Sequence, residues 1–562
     1  MMLNEHCQIE CLDCGFRTPY HPLVTTCSHC GGTWLKAVYD YAHLSHALPS
    51  RLKERPFDLW RYRELLPVMQ PAPELRLSEG GTPLIRALNL GMMLGLANLF
   101  MKDERQGPTS SFKDRQAALS ISALKTVGVR EVVLASTGNV AIAYSAYAAR
   151  AGIKLWAFLT SLVPAAKMRE VALYGTQVIK VTGSYDQAKQ VAAEFARQRG
   201  IYLDAGARSI ANIESMKTIA YEIAEQLGEV LNESAETMEG GQPRWQAPDW
   251  YIQAVSGGMG PLGVLKGFRE MYEMGWIDKI PKIGVIQVEG CAPMVNAWKQ
   301  GRDTAIPVQS PRTNIATLAT GDPGRTYTLL RNWMLEGSGG AFESVSDEEA
   351  YRAIHFLAKM EGMSVEPAAA VACAGLIKLV RSGQIKPHEV VVMNISGHTL
   401  PVERAILGEG WSRNVVVSEA IHAGAEEGLL AALSKITIDR FPRIAIVDDH
   451  PEARRLIRRI LQSQGEYTLY EAASGHEAIE LAQREHPDLI ILDLMMPEID
   501  GFGVIEALQA QPETAEIPII VVTAKELTPA EKDRLRGHIQ SLMQKGDFMS
   551  DDLLDEVRAL LK

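Results

Sequence analysis

Gly107-Pro108-Thr109-Ser110-Ser111-Phe112-Lys113-Asp114-Arg115 sets one lysine between a turn and a helix. Glycine and proline open the turn, and the alternating small and apolar run from Gln116 to Val127 predicts the helix. Serine and threonine hydroxyls are available to cap it. Lys113 carries the only nucleophilic amine of the stretch. In a dry site such an amine loses part of its ammonium character and condenses with an aldehyde to a Schiff base. Taken alone, the stretch reads equally well as a surface lysine at a helix start.

Three further stretches change that balance. Ala135-Ser136-Thr137-Gly138-Asn139-Val140 lies between the apolar strand Glu131–Leu134 and the small-residue helix Ala141–Ala151. Val255-Ser256-Gly257-Gly258-Met259-Gly260-Pro261 follows the strand Trp250–Ala254 and opens another helix. Asn394-Ile395-Ser396-Gly397-His398-Thr399 follows the strand Val390–Met393. Each is a strand-to-turn edge, where an open parallel sheet binds ligands.

In this order, from about Cys11 to Leu407, the motifs resemble the fold-type II pyridoxal-phosphate enzymes, and within them the threonine synthase family. The resemblance implies an α/β fold of two open parallel-sheet subdomains, a tryptophan synthase beta-like catalytic domain over residues 38–410, and a homodimer. It implies that Lys113 holds the cofactor and shuttles the substrate α-proton, and that Asn139 hydrogen-bonds the cofactor's phenolic oxygen. The segment Ser256, Gly257, Gly258, Met259 and Gly260 would cradle the phosphate with backbone amides and a helix N-terminus. Ser396 would sit beside the pyridine nitrogen and leave it mostly neutral. Ser136, Thr137 and Gly138 would receive the substrate carboxylate.

The chain has 562 residues, 46% apolar and 22% charged, an ordinary soluble composition with room for three or four domains. Its formal charge of −11 argues against general nucleic-acid binding. No apolar run is long enough to span a bilayer and no basic-then-apolar leader follows Met1, so a cytoplasmic protein without membrane partners is expected. Five of the seven cysteines fall before residue 31. Cys11-x2-Cys14 and Cys27-x2-Cys30 form two knuckles whose four thiolates suit one tetrahedral, structural Zn2+, which makes residues 1–37 a zinc-ribbon-like segment. His6, Cys7 and His29 are nearby spares.

Between the motifs, strands and helices alternate from Glu131 to Asp204 and again from Trp250, the rhythm of a parallel sheet covered by helices. Val38 to Pro73 reads as helices with turns, and Leu231 to Ala247 as an exposed insertion. Leu77-Ser78-Glu79-Gly80-Gly81-Thr82-Pro83-Leu84 resembles the family's G-E-G-x-T-P-L pattern with Ser78 in place of the first glycine. There Thr82 touches substrate or only shapes a turn. The helix Ile213–Gly228, with Glu214, Lys217 and Thr218, reads as near the active site or as surface. Glu366 either orients the cofactor ring or serves its helix dipole. His398, beside Ser396, reads as an acid/base aid or as a turn residue with a satisfied hydrogen bond.

Residues 411–441 read as a linker with an apolar helix, Glu419–Leu433. Then the register changes. Arg443-Ile444-Ala445-Ile446-Val447-Asp448-Asp449, Leu489–Asp493, Ile517–Thr523 and Ser541–Lys545 are strands that deliver acids, a hydroxyl and a lysine to one sheet edge. Residues 442–562 resemble a response-regulator receiver domain of flavodoxin-like (βα)5 form. Asp448, Asp449 and Asp493 would bind Mg2+ through oxygen. Asp493 would be the phosphoacceptor, Thr523 would bond the phosphoryl oxygens, and Lys545 would pair with the charge. A sensor histidine kinase or phosphotransfer protein is the implied partner. Gly546-Asp547 replaces the proline often found after the lysine.

The threonine synthase reading makes O-phosphohomoserine the amino-acid substrate, with water replacing phosphate. Val140 stands where the family usually has threonine, and Ser110 where it usually has glycine. These departures keep open a related elimination or replacement, of threonine/serine ammonia-lyase or cysteate synthase type. A non-catalytic ligand sensor whose work is phosphorelay is the reading from another class. No basic stripe or DNA-binding helix pair follows the receiver, so a transcription-factor output is not expected.

Overall fold

The computed structural model describes residues 2–52, 54–160, 163–182, 184–231, 245–398, 442–464, 467–544 and 551–561. They belong to two compact units. The first is Met1–Ala87, Asn98–Ile354 and Ser364–Pro401; the second is Leu88–Ala97, His355–Met363 and Val402–Lys562. Lys545, Thr399 and the helix expected at 419–433 lie outside the described residues.

The first unit holds two parallel sheets. One has four strands in the order Gln177–Val181, Lys154–Thr160, Glu131–Ser136, Tyr202–Leu203. The other has six, in the order Gly340–Val345, Lys282–Val288, Trp250–Ala254, Val391–Ile395, Leu99–Asp103, Leu84–Arg86. Only Leu84–Arg86 among these runs antiparallel to its neighbour. Strands such as Trp250–Ala254 and Val391–Ile395 are buried along their whole length, as sheets covered on both faces by helices require. The non-consecutive strand order brings segments far apart in sequence to one sheet edge.

A third, antiparallel sheet of Arg17–Pro19, Gln8–Cys11 and Leu35–Val38 carries the cysteine knuckles. Two local readings change. Val38 to Pro73 is not helix and turn alone: Val68–Gln70 is a strand paired with Met2–Leu3. Of the stretch read as an exposed insertion, residues 232–244 lie outside the described residues, and its last part is buried: Trp245 and Ala247 belong to the apolar core, with Trp245 edge-on to Tyr62 and Trp276.

The second unit contains a parallel sheet of five strands, ordered Thr468–Ala472, Arg443–Val447, Leu489–Leu492, Ile519–Thr523, Ser541–Gln544. The central strand Leu489–Leu492 is buried throughout. Asp448, Asp493 and Thr523 follow or end their strands on the same carboxyl edge and are buried.

Among the described residues, no helix is long and apolar enough to cross a membrane.

Candidate active site

The lysine stretch is held by the turn after strand Val391–Ile395. Phe112 N–H donates to the Ser396 carbonyl at 3.0 Å, His398 N–H donates to the Ser110 carbonyl at 3.0 Å, and Ser111 pairs with Gly397 in an antiparallel bridge. Backbone bonds therefore fix Lys113 against Ser396 without help from either side chain. Ser110 pays for this geometry with a φ of 58°, a left-handed conformation that costs a serine about 1 kcal/mol and a glycine far less. Ser78 sits at 66°. Both serines stand where the family pattern has glycine, and both positions keep glycine's backbone.

The helix Lys113–Thr126 starts on Lys113 itself. The serine or threonine cap expected for it is not made: Phe112 holds the capping position, and the Ser111 hydroxyl has no partner among the described residues. The Asp114 carboxylate instead turns back and accepts from Thr109 N–H at 2.9 Å and from its hydroxyl at 2.6 Å. Burial raises that carboxyl to about 7 despite these bonds.

Lys113 is enclosed. Its amine lies 4.2 Å from the centroid of the Phe112 ring. Burial lowers it to about 8, against the opposing pull of the Glu366 and Asp204 carboxylates. It faces a cavity of about 110 Å³ that also takes in Asn139, the segment 256–260, Glu366 and Ser396. The same cavity is lined by the N-terminus of helix Met259–Glu273, preceded by Gly258 at φ 83°; a β-carbon there would come within 2.7 Å of Met294 Cε. Free helix N–H groups and bare glycine make an anion cradle. A desolvated amine and an anion cradle lining one cavity suit a phosphorylated aldehyde.

Val140 and Thr137 line this cavity and also a wider one of about 510 Å³, which adds Ser136, Asp204 and Arg208. The Ser136 hydroxyl holds the loop together, accepting from Gly138 N–H at 3.0 Å and Ala141 N–H at 3.1 Å. Thr137 donates to the Thr317 carbonyl at 3.3 Å. Thr82 lines neither cavity. It is buried, and its hydroxyl donates to Glu104 at 2.7 Å. Glu214, Lys217 and Thr218 are buried too, against the surface reading; none of them lines either cavity, Lys217 pairs with Glu214 at 2.6 Å and Glu270 at 3.0 Å, and Thr218 accepts from Arg115 at 3.0 Å.

Glu366 heads helix Pro367–Arg381 but makes no side-chain cap. Its carboxylate accepts from Asn139 Nδ2 at 2.8 Å and from Lys167 Nζ at 3.1 Å. His398 makes a turn hydrogen bond through its backbone N–H to Ser110, while its ring Nδ1 is buried with no partner among the described residues. Two residues had no reading in the sequence. Lys167 lies in helix Ala165–Leu173, which carries no motif. Asp204 follows strand Tyr202–Leu203 and accepts from Tyr144 OH at 2.6 Å; a carboxylate just past a parallel strand was the available signal.

In the knuckles, Cys11 and Cys30 Sγ are 3.6 Å apart and Cys14 and Cys27 Sγ 3.7 Å apart. Four thiolates around one tetrahedral Zn2+ stand about 3.8 Å apart. Asp13 N–H and Gly32 N–H each donate to a cysteine sulfur at 3.4 Å. The nearby spares take no part: Cys7 is packed in the core, where burial pushes its thiol up to about 12, and His29 stacks on Phe16.

In the receiver sheet, Asp448, Asp449 and His450 bring ligand atoms within 4.8 Å of one another. His450 Nδ1 lies 2.8 Å from Asp449 Oδ1, an acid-pocket neighbour the sequence reading passed over. Met495 N–H donates to Asp493 at 3.2 Å and Lys525 N–H to the Thr523 hydroxyl at 3.2 Å.

Residues 75–397 match the family model described as pyridoxal-phosphate dependent enzyme, and residues 444–558 the response regulator receiver domain. The threonine synthase of Methanocaldococcus jannaschii is 36% identical over 393 residues, 70% of this chain and 92% of that protein. The threonine synthase of Mycobacterium tuberculosis strain H37Rv is 32% identical over 340 residues, 60% of this chain and 87% of that protein. Diaminopropionate ammonia lyase from Escherichia coli superposes with a TM-score of 0.50 at 15% identity, covering 61% of this chain and 94% of that one; the likeness is one of fold.

Proposed function

We propose that this chain, which belongs to the pyridoxal-phosphate-dependent enzyme family and carries a response-regulator receiver domain, is a threonine synthase-type lyase that converts O-phosphohomoserine and water to threonine and phosphate. The observation that carries the reading is Lys113: a half-buried amine, its proton affinity lowered by desolvation, sharing one cavity with a glycine-rich helix N-terminus. The threonine synthase relatives, matched over most of their length, support the substrate class.

When bound, pyridoxal phosphate supplies the electron sink that makes the substrate's carbon-bound hydrogens acidic. The chain supplies position and proton transfer. Backbone amides of 257–260 would hold the phosphate. Asn139 and Ser396 would hold the ring through its oxygen and nitrogen, and the 136–138 loop would orient the substrate carboxylate. Lys113 Nζ, its proton affinity lowered by desolvation, would take the α-proton and return it. Phosphate release from O-phosphohomoserine tests this; threonine or serine deaminated in preference would establish the ammonia-lyase reading. Val140, on the wall of both cavities in place of a hydroxyl, is what favours that second reading.

Only the free amine condenses with an aldehyde. Capture of pyridoxal phosphate by the empty protein should therefore speed up about tenfold per pH unit below Lys113's value of about 8 and level off above it. A pH-independent capture rate removes Lys113 from that step. The sign for stability follows. The unfolded amine holds its proton up to 10.5 and the folded one only to about 8, so Lys113 makes the empty protein more stable as pH rises through that window.

We propose that Asp493 accepts a phosphoryl group from a sensor kinase or phosphotransfer protein, with Mg2+ held by Asp448, Asp449 and Asp493, and that this controls turnover. Acetyl phosphate with Mg2+ should label the chain and change its rate. Asp493→Asn should abolish the label; persistence of the label in the variant moves the acceptor elsewhere. We also assign the four knuckle cysteines to one structural Zn2+. Metal analysis should return one zinc per chain, and Cys27→Ser should lose it together with about 2–5 kcal/mol of stability or more. Metal-free protein with an unchanged melting temperature excludes the site.

A further inference from the structure

Lys167 makes three contacts around the candidate cofactor cavity. Its Nζ donates to Asn139 Oδ1 at 2.8 Å and to Glu366 Oε2 at 3.1 Å, and its stem crosses Gly138, where a β-carbon would meet Lys167 Cδ at 3.3 Å. Glu366 Oε1 in turn accepts from Asn139 Nδ2 at 2.8 Å. The three side chains close a ring of hydrogen bonds. Glu366 is 4% exposed at the side chain and Lys167 17%, so the pair is largely cut off from water.

This ring fixes an orientation that an asparagine otherwise chooses freely. The amide oxygen is held by an ammonium, a donor with no acceptor. One amide hydrogen is held by a carboxylate, an acceptor with no donor. Flipping the amide would set N–H against N–H and oxygen against oxygen. What is left for the cavity, which Asn139 lines, is the second N–H. The ring also cancels a charge: without Lys167, Glu366 would be a lone buried carboxylate on the cavity wall.

We propose that Lys167 is a positioning residue, which locks Asn139 with an N–H toward the cavity and neutralises Glu366 beside the bound cofactor. The inference rests on the reading that the cavity holds pyridoxal phosphate. Lys167 acts through Asn139 and Glu366 and does not itself react. The occupant's group facing Asn139 is then an acceptor, as an anionic phenolic oxygen is.

The test uses the full chain loaded with pyridoxal phosphate and reads two quantities other than turnover: the cofactor dissociation constant and the pH midpoint of the bound cofactor's visible absorption band. Lys167→Met should weaken retention about tenfold and raise the midpoint by about one pH unit, because the uncompensated carboxylate favours the protonated form. Glu366→Gln, which leaves the cation alone, should lower the midpoint. The double variant should return it toward wild type. Shifts of opposite sign that cancel in the double variant are not produced by a loss of packing. If Lys167→Met fails to fold, Glu366→Gln still decides: an unmoved or raised midpoint overturns the proposal. So does a Lys167→Met midpoint equal to wild type, or a shift the double variant does not reduce. A wild-type chain that gives no visible band with pyridoxal phosphate sinks the cofactor reading itself, a result distinct from any of these.

Discussion

Lys113→Ala should abolish the visible band formed with pyridoxal phosphate and cut turnover by about 10³-fold or more, since nucleophile and proton carrier are lost together. The same change should leave the melting temperature of the empty protein unchanged or raise it. Among the described residues the amine has no hydrogen-bond or ion-pair partner, only the Phe112 ring at 4.2 Å, and burial already disfavours its charge. A side chain that costs stability in the empty fold and contacts little is there for chemistry. Lys167 offers no substitute, because its amine is bound to Glu366 and Asn139. Turnover within tenfold of wild type in Lys113→Ala would refute the assignment.

Glu222→Ala should cost about 3–5 kcal/mol of stability without touching any residue of the cavity wall. Glu222 is fully buried and accepts from Arg115 at 2.5 and 2.8 Å, from Lys102 at 2.8 Å and from Gly81 N–H at 2.9 Å. Arg115 is also held by Glu104 at 2.8 Å. Two cations and two carboxylates balance; removing Glu222 leaves a buried excess positive charge. Burial alone would raise the Glu222 carboxyl, but Arg115 and Lys102 outweigh it and hold the group at about 2. The folded value lies below the ordinary 4.5, so this contribution is complete above that pH and is lost as pH falls toward 2. The urea midpoint of the catalytic unit measures it, and a loss under about 1 kcal/mol would show that the network is dispensable. Because Arg115 lies two residues past Lys113 on the same helix, the network also anchors the lysine.

Much of the site was legible because strand-to-turn edges announce themselves locally. A buried strand followed by Gly257-Gly258 or by Thr137-Gly138-Asn139 needs no partner to be recognised, and the parallel rhythm implies that such edges converge. Thr82 and Glu366 were not legible in the same way. Each could face ligand or protein, and the difference lay in partners distant in sequence: Glu104 and Glu222 for Thr82, Lys167 and Asn139 for Glu366. Lys167 sits in an unremarked amphipathic helix, and nothing within ten residues of it marks a role.

By itself, the sequence determined the layer architecture, the lysine and its glycine cradle, the cysteine knuckles and the acidic edge of the receiver sheet. These depend on residue type at short spacing, where hydrophobic periodicity and turn chemistry act. Only the tertiary structure decided which buried charges pair, that Thr82 turns inward, that Ser78 and Ser110 bear glycine's backbone, and that Lys167 completes the asparagine's ring of hydrogen bonds. Those outcomes are set by a parallel sheet that brings residues a hundred or more positions apart within hydrogen-bonding distance, and by a low-dielectric interior in which every donor and charge placed there must find its complement.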